Sequence, residues 1–157
     1  MKQQRIESSG RFGLVYRTWH MRNGVLLQDE TTHNLVPDEG ITDILGVYFK
    51  GVTAKANWYV FLYEGNYTPD GSETGGTIAA VATEFTAYTP NARPLWVSGP
   101  INAGSLDNVA ARAVFKATAK KTLYGGGIHS SSVKGGTSGM LPSCVRFGSP
   151  KVLDIGD

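Results

Sequence analysis

The sequence is short of the features that most often announce a function. It holds one cysteine, Cys144, in 157 residues. A single thiol cannot form an intrachain disulfide or a Cys-based zinc cage, and it suits a reducing compartment. Charged residues make up only 18%, against a usual value of about 25%. No apolar run approaches the roughly 18 residues of a membrane span. Met1-Lys2-Gln3-Gln4-Arg5 leads into no apolar segment, so no secretory signal is expected. Histidine is scarce: His20, His33 and His129, with no pair at the spacing of a helical metal site. No serine sits in a nucleophile elbow, and no phosphate-loop motif is present. No catalytic residue, cofactor or metal site is therefore expected.

Glycine is what the chain has in excess, 20 residues, where about 7% is usual. That much glycine argues against a helical bundle, at about 1 kcal/mol per interior position. The low charge comes with 10% aromatics, which argues against disorder. The length fits one domain that buries roughly two-thirds of its unfolded surface.

The net charge of +2 conceals segregation. Residues 1–22 set Lys2, Arg5, Arg11, Arg17 and Arg22 against Glu7. Residues 23–110 hold ten acids against Lys50, Lys55 and Arg93, and residues 111–157 turn basic again. Such a field can steer docking to a complementary partner. The cations are dispersed, which disfavours nucleic acid.

Residues 1–11 read as a flexible basic arm and 12–157 as a single β domain. Asn23-Gly24 predicts a type I′ hairpin between Phe12–Met21 and Val25–Leu35. One helix is predicted near residues 38–50. Ile41, Ile44, Leu45, Tyr48 and Phe49 form one apolar stripe, Pro37 precedes it, Asp38 and Glu39 face the positive dipole end, Lys50 lies near the negative end, and Gly51 ends it. Gly40 and Gly46 weaken this helix, so it should be held by packing, plugging one end or side of a sheet. Asn57–Tyr63 is apolar on both faces. Ile78–Val81, Thr83–Tyr88, Ala92–Ile101, Asn108–Ala119, Thr122–His129 and Met140–Phe147 read as further strands. Val152, Leu153 and Ile155 resemble the start of another, contributed to a neighbour. About eight short strands predict an all-β chain, an antiparallel sandwich of jelly-roll or immunoglobulin-like type. Gly125-Gly126-Gly127 and Gly135–Gly139 read as turns or tight connections.

Trp58, Phe61 and Trp96 stand out as interface anchors, with Arg5 and Arg11 reaching an acidic surface. Trp19, Trp58 and Trp96 could instead form a sugar platform beside Asp70 or Asp107. An enzyme would need a histidine beside a carboxylate in a cleft. Cys144 sits in an apolar pattern and reads as a buried, inert thiol.

The order Asn34-Leu35-Val36, Glu39-Gly40-Ile41, Trp58–Leu62, Thr83–Tyr88, Arg93-Pro94, Gly104–Asn108 and Lys134–Thr137 resembles a family of small structural proteins of tailed bacteriophages, over roughly residues 12–157. The resemblance implies a non-enzymatic virion component made in the host bacterial cytoplasm. It favours a capsid decoration (cement) protein over a collar, tail or fibre-attachment protein. The implied partners are further copies in a trimer or ring, together with major capsid or tail proteins. It carries no catalytic residues.

Overall fold

The computed structural model describes residues 13–157. The expected arm, with Arg5 and Arg11, lies outside the described residues. The fold is mainly β and its strand pairs are antiparallel. Strands β1 (Val15–Arg22) and β2 (Val25–His33) form the predicted hairpin. Asn23 and Gly24 have φ of 49° and 77°, the two positive values that a type I′ turn requires. Helix α1 spans Asp38–Lys50, and Gly51 is left-handed at its end. The Val52 N–H then donates to the Gly46 carbonyl, which closes the C-terminus as a glycine cap does.

Strands β3 (Tyr59–Tyr63), β6 (Lys121–His129) and β7 (Ser143–Leu153) make the largest sheet, with β6 in the centre. β4 (Tyr88–Thr89) and β5 (Lys116–Ala117) are a two-residue pair. The hydrogen-bonded strands thus form sheets of two, three and two. A jelly-roll or immunoglobulin-like sandwich needs larger facing layers. These sheets are small and open, because the 90–115 stretch pairs only at isolated points.

Two apolar clusters cover the three-stranded sheet. Phe85, Tyr88, Ala117, Leu123, Val145, Phe147 and Leu153 form one. Phe61, Tyr63, Ile78, Ala82, Leu141 and Cys144 form the other. Adjacent residues Cys144 and Val145 fall in different clusters, as the alternation of a strand demands. The two-faced apolarity of residues 57–63 is explained the same way: Phe61 and Tyr63 enter one cluster, and Leu62 packs on the other.

Several local expectations are corrected. Ile78–Val81 is a four-residue helix, α2, because Ile78 alone reaches the core while Val81 is exposed. Thr83–Tyr88 contributes only a bridge at Glu84 and the first residue of β4. Ala92–Ile101 touches β3 through the Leu95–Tyr59 bridge and is otherwise irregular. Of the strand predicted over Asn108–Ala119, residues 111–119 alternate inward and outward, but Val109 is exposed where an inward residue was expected, and only Lys116–Ala117 finds a strand partner. Val152 and Leu153 finish β7 and start no new strand. Gly156 and Asp157 fold back onto Ala117 of the same chain.

The largest correction concerns Gly125-Gly126-Gly127. They are not a turn; they lie in the middle of the central strand, opposite Tyr63, Leu62 and Phe61. A Cβ at Gly125 would stand 2.1 Å from the Tyr63 hydroxyl, and one at Gly127 would stand 2.7 Å from the Phe61 ring. The two aromatic side chains occupy the space that side chains on β6 would fill.

Both outer edges of this sheet are closed. On β7, Leu35 bridges Cys144. The Glu30 carboxylate accepts the Gly148 and Ser149 N–H groups, and Arg22 donates to the Val152 carbonyl. On β3, the Val60 N–H donates to the Pro94 carbonyl, and the Trp96 N–H donates to the Trp58 carbonyl. Edge covering of this kind suppresses unwanted strand addition.

Candidate interaction surface

Helix α1 is anchored by its first turn alone. Gly40 is its buried residue; a Cβ there would lie 2.7 Å from the Pro142 carbonyl oxygen, so only glycine lets the helix sit on that backbone. The Glu39 carboxylate accepts the Gly75 and Leu141 N–H groups at 2.8 and 2.7 Å. The Asp38 N–H donates to the Gly71 carbonyl. Beyond that turn the helix projects. Ile41, Leu45, Tyr48 and Phe49 are 45%, 50%, 81% and 70% exposed. The expectation that this stripe plugs a sheet is overturned: Ile41, Leu45, Tyr48 and Phe49 face outward, Ile44 is half-buried, and the side bearing Gly40 meets the body. Tyr48 and Phe49 stack edge to face at 4.8 Å on this surface. Large exposed apolar faces of this kind mark contact sites.

The predicted anchors fare unequally. Phe61 is fully buried in the chain's own core, which leaves it no surface for a neighbour. Trp58 and Trp96 are half-buried and are brought together on paired backbone at the β3 edge. Trp19 lies within cation–π distance of Arg17 and Arg112, at 4.9 and 4.3 Å. The carboxylates expected beside a sugar platform each accept local hydrogen bonds through Oδ1. Asp70 accepts from the Ser72 N–H and hydroxyl, and Asp107 accepts from the Val109 N–H.

Other titratable groups are spent inside the fold. His20 Nε2 lies 2.8 Å from Asp157 Oδ2, the one histidine–carboxylate pair among the described residues. Arg22 forks onto the same carboxylate at 2.7–3.1 Å, and the Asp154 N–H joins at 2.9 Å. The Arg22 bonds hold the Asp157 carboxyl well below the usual carboxylate range, against burial. The pair clasps the hairpin to the C-terminal turn. Glu73 is buried and accepts from the Tyr67 hydroxyl and the Asp70 and Gly71 N–H groups, closing the 67–73 loop on itself. Glu84 and Arg93 form a buried two-armed pair at 2.9 and 2.6 Å. It pins the Gly-rich loop through the Gly135 N–H and the Ser131 carbonyl.

His129 is fully buried. Its Nδ1 accepts the Ser131 N–H at 2.9 Å, so Nε2 carries the proton donated to the Gly75 carbonyl at 3.0 Å. Burial lowers its pKa, while the unfolded value is about 6.5. Its stabilisation is complete above that value and is lost as pH falls toward the folded pKa, because only the unfolded chain takes up the proton. Urea titrations should show stability falling below about pH 6.5, by at most about 1.4 kcal/mol per pH unit from this group. The drop should be smaller in His129→Gln; an unchanged pH profile would contradict the assignment.

Cys144 is fully buried, as its sequence context predicts. Burial pushes its thiol up to about 12. A thiolate-seeking reagent should leave the native chain unlabelled over hours and label it at once in denaturant. Rapid native labelling would contradict this.

Comparison of the chain with protein-family models, curated proteins and solved structures finds no match. No helix among the described residues is long and apolar enough to cross a membrane.

Proposed function

We propose that this chain is a non-enzymatic structural component of a tailed-phage virion, a capsid decoration protein that clamps neighbouring subunits. The observation that carries the reading is the outward apolar stripe of α1, Ile41, Leu45, Tyr48 and Phe49. A surface so rich in large apolar groups is suited to being covered by protein. The buried ionisable groups support the same reading, since Glu73, Glu84, Arg93 and His129 are engaged in holding loops. The phage resemblance over residues 12–157 supplies the setting, with further copies of the chain and major capsid or tail proteins as partners. A collar or tail position uses the same surface and is the second reading.

Mass spectrometry and cryo-electron microscopy of purified phage particles whose genome encodes the chain test this directly. The chain is expected at many copies per particle, on the head shell. Density at the neck or tail would favour the second reading. Particles lacking the chain would overturn both.

A further inference from the structure

The hairpin β1–β2 meets the rest of the chain through an unusual face. Tyr16, Thr18, His20 and Arg22 lie on one side of β1. Gln28, Glu30 and Thr32 extend that side on β2, through the register Tyr16–Thr32, Thr18–Glu30 and His20–Gln28. All of them are polar, and all are buried or half-buried. Neither apolar cluster has a buried member from this hairpin, and Tyr16 is its one residue packed against either. The contacts that hold it are hydrogen bonds and ion pairs. The Tyr16 hydroxyl donates to Ser143 Oγ at 2.8 Å. His20 and Arg22 hold Asp157. Glu30 accepts from the Gly148 and Ser149 N–H groups and from the Lys151 ammonium. Thr18 Oγ1 and Gln28 Oε1 are covered yet have no partner. On the opposite side, Trp19 meets the Arg112 guanidinium at 4.3 Å.

Such a junction parts at low cost. Separated apolar surface gains nothing from water, whereas ionic and hydrogen-bonding groups recover hydration, which offsets most of what their pairing contributed. The two unpartnered oxygens gain outright. The hairpin is also a sheet of its own, so moving it breaks no ladder with β7. Beyond it the backbone is fixed: the Leu35 N–H and carbonyl both pair with Cys144, and Glu39 and Gly40 tie down α1. We infer that the hairpin is a hinged latch over the outer edge of β7, opening at Asn34 as one unit while β3, β6 and β7 stay paired. Opening uncovers the Gly148 and Ser149 N–H groups and the Val152 carbonyl, which Glu30 and Arg22 otherwise cap. The latch thus sets when β7 presents an unpaired edge. It does not involve α1 and is independent of the virion reading.

Native-state hydrogen exchange of the full chain at neutral pH, in water and in low urea, tests the latch. An undocked two-stranded hairpin is marginal, so its cross-strand amides exchange whenever it opens. They should be at least about tenfold less protected than the amides of β6. Their rates should depend little on urea, while those of β6 rise steeply. The Gly148 and Ser149 amides should follow the hairpin and not their own strand, because their bonds run to Glu30. Glu30→Gln should speed hairpin exchange about tenfold or more, and β6 by the same factor, because the broken contact is absent from the open and the unfolded states alike. Asp29→Asn, which removes the exposed pair with Arg17 on the opposite face, should change it less than about threefold. Ile78→Val, in the buried core away from the hairpin, should speed β6 about two- to tenfold and leave the hairpin unchanged. Three results would overturn the latch: one rate and one urea slope shared by the hairpin and β6, Ile78→Val speeding both equally, or Glu30→Gln acting no more strongly than Asp29→Asn.

Discussion

Alanine at Gly125 is expected to destabilise the fold by about 3 kcal/mol or more, read from urea midpoints. The added Cβ would lie 2.1 Å from the Tyr63 hydroxyl and 2.2 Å from the Val145 carbonyl oxygen. Tyr63 is fully buried and donates to that same carbonyl at 2.9 Å. It can make room only by leaving the core, which loses its burial and its hydrogen bond together. Gly24→Ala is the control. Nothing lies within 4 Å of its Cβ, and its φ is 77°, so only left-handed backbone strain remains, about 1 kcal/mol. Equal costs at the two positions would refute the packing account of the glycine run.

Breaking the Glu84–Arg93 pair should cost nearly as much. Glu84→Gln leaves the Arg93 guanidinium buried, at 0% side-chain exposure, without its counter-charge. One-sided loss of a buried pair typically costs about 3–5 kcal/mol. The effect should be local as well as global. The Gly135 N–H, which donates to Glu84 at 3.0 Å, should lose hydrogen-exchange protection before the strands of the three-stranded sheet do. A double variant, Glu84→Leu with Arg93→Met, should be milder than Glu84→Gln, because no buried charge is left unpaired. If the single and the double are equally damaging, the pair acts through shape and not through charge.

The local chemistry of the chain was largely legible. Asn-Gly at 23–24 allows few turns other than the one found, and the boundaries of α1 follow from Pro37, Asp38, Glu39 and Gly51. The inward–outward alternation over 111–119 was legible too, although strand pairing there was not. The anchors were harder. Trp58 and Phe61 fall on opposite faces of a segment that is apolar on both, so alternation does not rank them, and only the fold shows that one is core and the other half-exposed. Glu84, Arg93, Glu73 and Glu39 gave no warning in the sequence. Glu39 and the Glu84–Arg93 pair reach loop groups 36 to 102 residues away, a distance no spacing rule spans, and Glu73 closes its own loop through contacts that no motif announces.

The hairpin turn, the helix and its ends, the β-rich character and the buried cysteine were all legible in the residues themselves. Each rests on backbone preference or on a short apolar period, and both act within a few residues. Tertiary structure alone decided which way the α1 stripe faces. An amphipathic pattern states that one side is apolar without stating what covers it. Here Gly40 and Glu39 tie the first turn to Pro142, Gly75 and Leu141, and that attachment turns the stripe outward. Tertiary structure likewise turned the glycine run from an expected connection into the centre of a sheet, because the rings of Phe61 and Tyr63 need the space that only glycine leaves open.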